Sequence, residues 1–106
     1  MKIPKQIKIG AARYRVQLEP DSFASYDEPD GKKENIGEHI TALMLLRVAT
    51  YVGQKKIPEE SLTDTVLHEI LHGISRVYGI GLTENQVCGL SGGLMQVIRD
   101  NKLDFR

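Results

Sequence analysis

The sequence predicts an α+β domain, a small antiparallel or mixed sheet of three to four strands packed on two main helices. Three observations carry this. Residues 5–18 alternate apolar and polar with a period of two, as half-buried strands do. Residues 58–78 and 83–101 switch to a period near ~3.6, the helical repeat. At 106 residues, 41% hydrophobic and 26% charged, the chain suits one small domain with a thin core rather than a disordered segment. Residues 1–106 are read as that single domain, 1–57 forming the sheet and 58–101 the helices.

Ile7 and Ile9 alternate with Gln6 and Lys8, and Tyr14, Val16 and Leu18 alternate with Arg13, Arg15 and Gln17. Gly10-Ala11 between the two runs supplies a hairpin turn, because glycine is free to take a positive φ. Pro20-Asp21 closes the second strand. The stretch from Asp27 to Gly37, charged and full of turn formers, is expected as a surface loop. Residues 38–52 send mixed signals. Leu43-Met44-Leu45-Leu46 could open a buried helix, whereas Val48, Thr50, Tyr51 and Val52 favour strand. The preferred reading is a strand near 36–41, a turn and a strand near 43–49, with a helix over 39–48 as the alternative. Gly53-Gln54-Lys55-Lys56 is a polar break, and Pro58 suits the first turn of the next helix.

The first helix is expected from Pro58 to Tyr78. At about 100° per residue, Leu62, Val66, Leu67, Ile70, Leu71, Ile74, Val77 and Tyr78 cover half of its surface and ask for two packing partners, the sheet and a second helix. His68 and His72 fall in the other half and so face a groove or solvent, with Glu69 at the border. Gly79 is a left-handed stop. The second helix opens on a Thr83/Gln86 capping box and a Leu82/Val87 staple. Its apolar stripe is Val87, Leu90, Leu94 and Val97/Ile98. Gly89, Ser91, Gly92 and Gly93 are small for a helix interior and predict another backbone in close approach. Asp100-Asn101 ends it, and a loosely held tail Lys102–Arg106 is expected.

His68 and His72 are the residues that carry chemistry. Positions i and i+4 lie one above the other on a helix, so two imidazoles can share one metal ion while Glu69 projects beside it. That is the physical content of the H-E-x-x-H pattern: a zinc-type site with a general base. A catalytic zinc generally takes three protein ligands. The candidates for the third are Glu84, Cys88, His39 and Asp64, and ligand chemistry favours Glu84. A tight helical hairpin turning about residue 80 or 81 would, however, set residue 88 or 89 level with His72.

His68-Glu69-Ile70-Leu71-His72, followed by Gly79-Ile80-Gly81-Leu82-Thr83-Glu84-Asn85-Gln86-Val87 and by Arg99-Asp100-Asn101, resembles the small HExxH proteins of phages and prophage-bearing bacteria. These are minimal members of the zincin clan, similar in outline to gluzincins and to ImmA/IrrE-type peptidases. The resemblance is specific over residues 62–101. It implies a minimal zincin-like fold, zinc ligands at His68, His72 and Glu84, and a catalytic base at Glu69. The chain departs from the larger families at four points. Ser75 and Tyr78 stand where a metzincin-like continuation has Gly and His, and Thr83 and Cys88 stand where a gluzincin-like second motif has Asn and Asp. No histidine follows His72 to serve as an electrophile, which leaves Tyr78 as the nearby substitute.

The expected function is that of a zinc metallopeptidase acting on a peptide or protein, with the strand from Leu43 to Val48 holding an extended substrate. The alternative is a catalytically inactive zincin-like interaction module in a phage or prophage programme. Equal numbers of basic and acidic residues, 14 each, argue against a nucleic-acid partner. No apolar run approaches a membrane span, and no apolar segment follows the N-terminal lysines as in a signal peptide. With Cys88 as the single cysteine, a cytoplasmic setting is expected.

Overall fold

A computed structural model of the chain describes residues 2–104. Four strands, β1 (Gln6–Ile9), β2 (Ala12–Glu19), β3 (Gly37–Ile40) and β4 (Leu45–Ala49), form one mixed sheet in the order β1-β2-β4-β3. β1 and β2 are the expected hairpin, with Gly10 at φ +57° in its turn. β4 runs parallel to β2, pairing Arg15 with Leu45, and antiparallel to β3, pairing His39 with Leu46. A 3-10 turn, Thr41–Leu43, joins β3 to β4, so the helical alternative for residues 39–48 is not adopted.

Two differences from the sequence reading concern this half of the chain. β4 is not available to a peptide substrate, because both of its edges are already paired; the free edges belong to β1 and β3. The polar break at residues 53–56 is in fact part of a hairpin, β5 (Tyr51–Val52) with β6 (Lys55–Lys56). Gly53 and Gln54 both take positive φ, 54° and 69°, as a type I′ turn demands. Two-residue strands are too short to leave a periodic signal.

The helices are α1 (Glu59–Val77) and α2 (Glu84–Asp100). Pro58 stands at the N-terminal boundary of α1, its carbonyl accepting from the Leu62 N–H, and Gly79, at φ +63°, closes the helix: the Gly79 N–H bonds the Arg76 carbonyl and the Ile80 N–H bonds that of Ser75. α2 opens on the expected capping box. The Gln86 N–H donates to Thr83 Oγ1, and the Thr83 N–H donates to Gln86 Oε1. The tail is held through Leu103, whose N–H reaches the Ile98 carbonyl, while residues 105 and 106 lie outside the described residues.

α1 lies across the sheet. Ile70, Ile74 and Val77 pack on Ile9, Tyr14 and Leu46, and Leu62 packs on Phe23, Ala49 and Ile57. Full burial of a side chain such as Leu46 or Phe23 is worth about 1.5–3 kcal/mol, and the partly buried helix residues contribute less. Gly73 lets the sheet come close, since a Cβ there would stand 2.7 Å from Ile9 Cδ1.

The second helix is a thinner layer than its stripe predicts. Only Val87 and Ser91 are buried; Leu90, Leu94, Val97 and Ile98 remain 40–43% exposed. The close approach expected at the small residues is absent as well, because a Cβ at Gly89, Gly92 or Gly93 would meet nothing within 4 Å among the described residues. These glycines turn outward, and only Ser91 faces the core. Tyr78, read as a core residue, is 64% exposed. α1 stops at Val77, so helical phase no longer governs where Tyr78 points.

Candidate metal centre

The helices run antiparallel, and their level is set by how α1 stops. The turn at Gly79 begins immediately after the last helical residues, and residues 80–83 bring the chain back alongside α1. Glu84 therefore comes level with His72, and Cys88 level with His68; further on, Arg99 reaches Glu60. This is one helical turn off the hairpin geometry that set residue 88 or 89 beside His72. The objection to Glu84 disappears with it.

The three side chains converge. His68 Nε2 lies 2.7 Å from Glu84 Oε1, His72 Nε2 lies 2.9 Å from Glu84 Oε2, and the two imidazole nitrogens are 3.2 Å apart. The rings meet edge to face, with centroids 4.9 Å apart. Donors from all three residues fall within 4.8 Å of one another. Two nitrogens bound tetrahedrally to one zinc would be separated by about 3.3 Å, so the imidazoles already hold the spacing of a shared ion. Two nitrogens and a carboxylate oxygen are the donor set zinc accepts, and three protein ligands leave a position open. These three residues could hold a metal ion, and zinc is one that their donor set accepts.

The other candidates stand outside this group. Cys88 Sγ is 4.0 Å from His68 Nδ1 and 3.7 Å from Glu84 Oε1. Desolvation and the Glu84 carboxylate push its thiol up, away from the thiolate that a metal requires. His39 Nε2 is 2.9 Å from the Tyr14 hydroxyl. Asp64 lies one turn below His68 and lines two hollows; its Oδ1 is buried without a partner among the described residues.

Glu69 is only 6% exposed and lines a hollow of about 320 Å³ together with Gly37, Thr65 and His68. Burial pushes its carboxyl up to about 8, helped by the nearby charges of Glu84 and Glu38. Glu84 goes the other way. Burial tends to raise it, but the two histidines, by field and by hydrogen bond, hold it below the ordinary carboxylate range.

Gly37 is the member of this site that the sequence reading missed, having placed it only where a loop gives way to a strand. A Cβ there would stand 2.6 Å from Glu69 Oε2 and 2.7 Å from Thr65 Cγ2. The available signal was a glycine at the start of a strand, which marks a close approach of backbone to another element. Elsewhere, a hollow of about 910 Å³ is lined by Arg15, Phe23, Arg47 and their neighbours and contains no histidine.

No helix among the described residues is long and apolar enough to cross a membrane. No family model matches the chain, and neither a curated protein nor a solved structure matches it.

Proposed function

We propose that the protein is a small zinc metallopeptidase with His68, His72 and Glu84 as ligands and Glu69 as general base. The observation that carries this reading is the convergence of three donors within 4.8 Å on two helices, with the HExxH glutamate sharing a hollow with His68. Zinc bound there supplies Lewis-acid polarisation of a carbonyl and acidifies water. Glu69 takes a proton from the attacking water and delivers it to the amine nitrogen as the C–N bond breaks. Without a neighbouring cation, burial keeps Glu69 protonated near neutrality, so its action as a base depends on positive charge at the ligand group.

The substrate edge in this reading is β3. It is a free edge of the sheet and begins at Gly37, against Glu69, so an extended peptide added to it would pass the base. The phage or prophage setting rests on the sequence resemblance alone.

A second reading, a catalytically silent interaction module of zincin-like outline, is favoured by the exposed Leu90, Leu94, Val97 and Ile98 on α2. One experiment serves both. Freshly purified protein is assayed for metal by plasma mass spectrometry and for cleavage of fluorescein-labelled casein, alongside Glu69→Gln and His72→Ala. The peptidase reading expects one zinc per chain, kept by Glu69→Gln and lost by His72→Ala, with cleavage abolished in both. Zinc without cleavage favours the module; absence of zinc from the wild type overturns the metal site.

A further inference from the structure

We propose that His39, fixed by the Tyr14 hydroxyl, donates the hydrogen bond that stabilises the oxyanion in this site. The inference rests on the metallopeptidase reading and adds to it the one group that reading lacks. Attack of water on a peptide carbonyl places negative charge on the carbonyl oxygen, and a preorganised donor there is a large part of catalysis. No histidine follows His72, and Tyr78 is the exposed residue that ends α1.

The sheet edge supplies the group instead. Residues i and i+2 of a strand project on the same side, so Gly37 and His39 both face α1. Gly37 meets Thr65 and Glu69. Two residues of strand advance about 6.8 Å, a little over one helical turn, and this carries His39 from the level of Glu69 to that of His72. His39 and His72 indeed line one hollow of about 410 Å³ together with Thr41, Ser75 and Arg76. A carbonyl lying along β3 next to the ligand group would thus have Glu69 on one side and His39 on the other.

The ring is also held in place. Tyr14 is only 2% exposed, and burial raises its hydroxyl pKa against the opposing influence of Arg76, so it keeps its proton. That hydroxyl stands 2.9 Å from His39 Nε2, and we take it as the donor, which puts the ring proton on Nδ1. No described residue accepts from Nδ1. Burial, with His72 and Arg76 nearby, holds the His39 pKa below its ordinary value, as suits a neutral donor. His39 keeps its proton throughout; it lends a hydrogen bond and forms no bond to the substrate.

The test uses cobalt-loaded full-length protein titrated with acetohydroxamate and followed by the cobalt absorption bands. Wild type, His39→Phe, His39→Ala, Tyr14→Phe and Arg76→Gln are compared, with circular dichroism checking the fold. The expectation is one cobalt per chain in every folded variant. Hydroxamate binding should weaken by about 10- to 100-fold in both His39 variants, the range for losing one hydrogen bond to a charged oxygen. A smaller loss is expected in Tyr14→Phe and none in Arg76→Gln.

Equal affinity in a folded His39 variant and the wild type overturns the proposal and leaves the metal reading intact, as does a loss confined to Arg76→Gln. Failure of folded His39 variants to take cobalt also overturns it, since His39 would then be a ligand. The proposal falls likewise if wild type loads cobalt but gives no hydroxamate response. If wild type takes no cobalt, the metallopeptidase reading itself falls and this one with it.

Discussion

Gly37 on the edge strand and Glu69 on the HExxH helix lie so close that a Cβ on residue 37 would stand 2.6 Å from Glu69 Oε2. The glycine is what lets a carboxylate occupy the seam between helix and sheet while still lining a hollow. Gly37→Ala should therefore move the Glu69 carboxylate, the proposed base. Overpacking of this kind costs about 1–3 kcal/mol, and a displacement near 1 Å at a reacting group costs about 100-fold in rate. The expected outcome is a lowered melting temperature and a casein-cleavage rate down by about 100-fold, with zinc content unchanged. Wild-type cleavage by the variant would show that Glu69 does not depend on this contact.

That contact also marks the boundary of what the sequence could tell. Period-two and period-3.6 patterns survive because each element buries one face, so the hairpin, the strand–turn–strand and both helices were legible to within a few residues. Capping was legible for the same local reason: Thr83, Gln86 and Gly79 act on their own backbone. Interactions between distant residues were not. The pairing of β2 with β4, which makes β4 interior, depends on residues 15–19 meeting 45–49. The level of Glu84 beside His72 depends on how tightly the chain turns after Val77. Gly37, too, acquires its role only when β3 meets α1.

Asp21 should make part of the stability pH-dependent. Its carboxylate accepts the Ser22 N–H at 2.7 Å and the Gly53 N–H at 3.0 Å, tying the end of β2 to the turn of the β5–β6 hairpin. The Gly53 bond, then the Ser22 bond, lowers its pKa below the ordinary value. A pKa lower in the folded than in the unfolded state means stability that is present above the unfolded value, ~3.9, and lost as pH falls through the folded one. Asp21→Asn removes the titration. The stability gap between wild type and variant, measured by urea unfolding, should be constant from pH 6 to 7, taken as roughly neutral, and shrink below about pH 4. A gap independent of pH would assign the tie to geometry rather than charge.

The outward glycines of α2 should be replaceable at a gain. No described residue lies within 4 Å of a Cβ built at Gly89, Gly92 or Gly93, and none of the three has a positive φ. Glycine in a helix interior costs about 0.8–1.0 kcal/mol relative to alanine. Each Gly→Ala change should thus stabilise the protein by up to about 1 kcal/mol, and the three together should raise the melting temperature by several degrees. Zinc content and cleavage should stay at wild-type levels. Destabilisation at any of the three positions would reveal a close neighbour in solution, covering the exposed Leu90 and Leu94 side of the same helix.

The ligand assignment separates Glu84 from Cys88 most sharply, because the two are one turn apart on α2 and both approach His68. Glu84 touches both imidazole nitrogens, whereas Cys88 stands 4.0 Å from the opposite nitrogen of one ring. Were Cys88 a partner that merely orients His68, its loss would weaken metal binding by about 10- to 100-fold. Were it a bystander, the change would be smaller than that. Loss of a ligand must exceed both, so Glu84→Ala should lower zinc affinity by more than about 100-fold. Cys88→Ser should leave it within about threefold, below the orienting range. Competition against a chromophoric chelator reads both variants on one scale. The reverse ranking would transfer the third ligand to sulfur, and a site closed by a thiolate would be built to hold its metal rather than to hydrolyse with it.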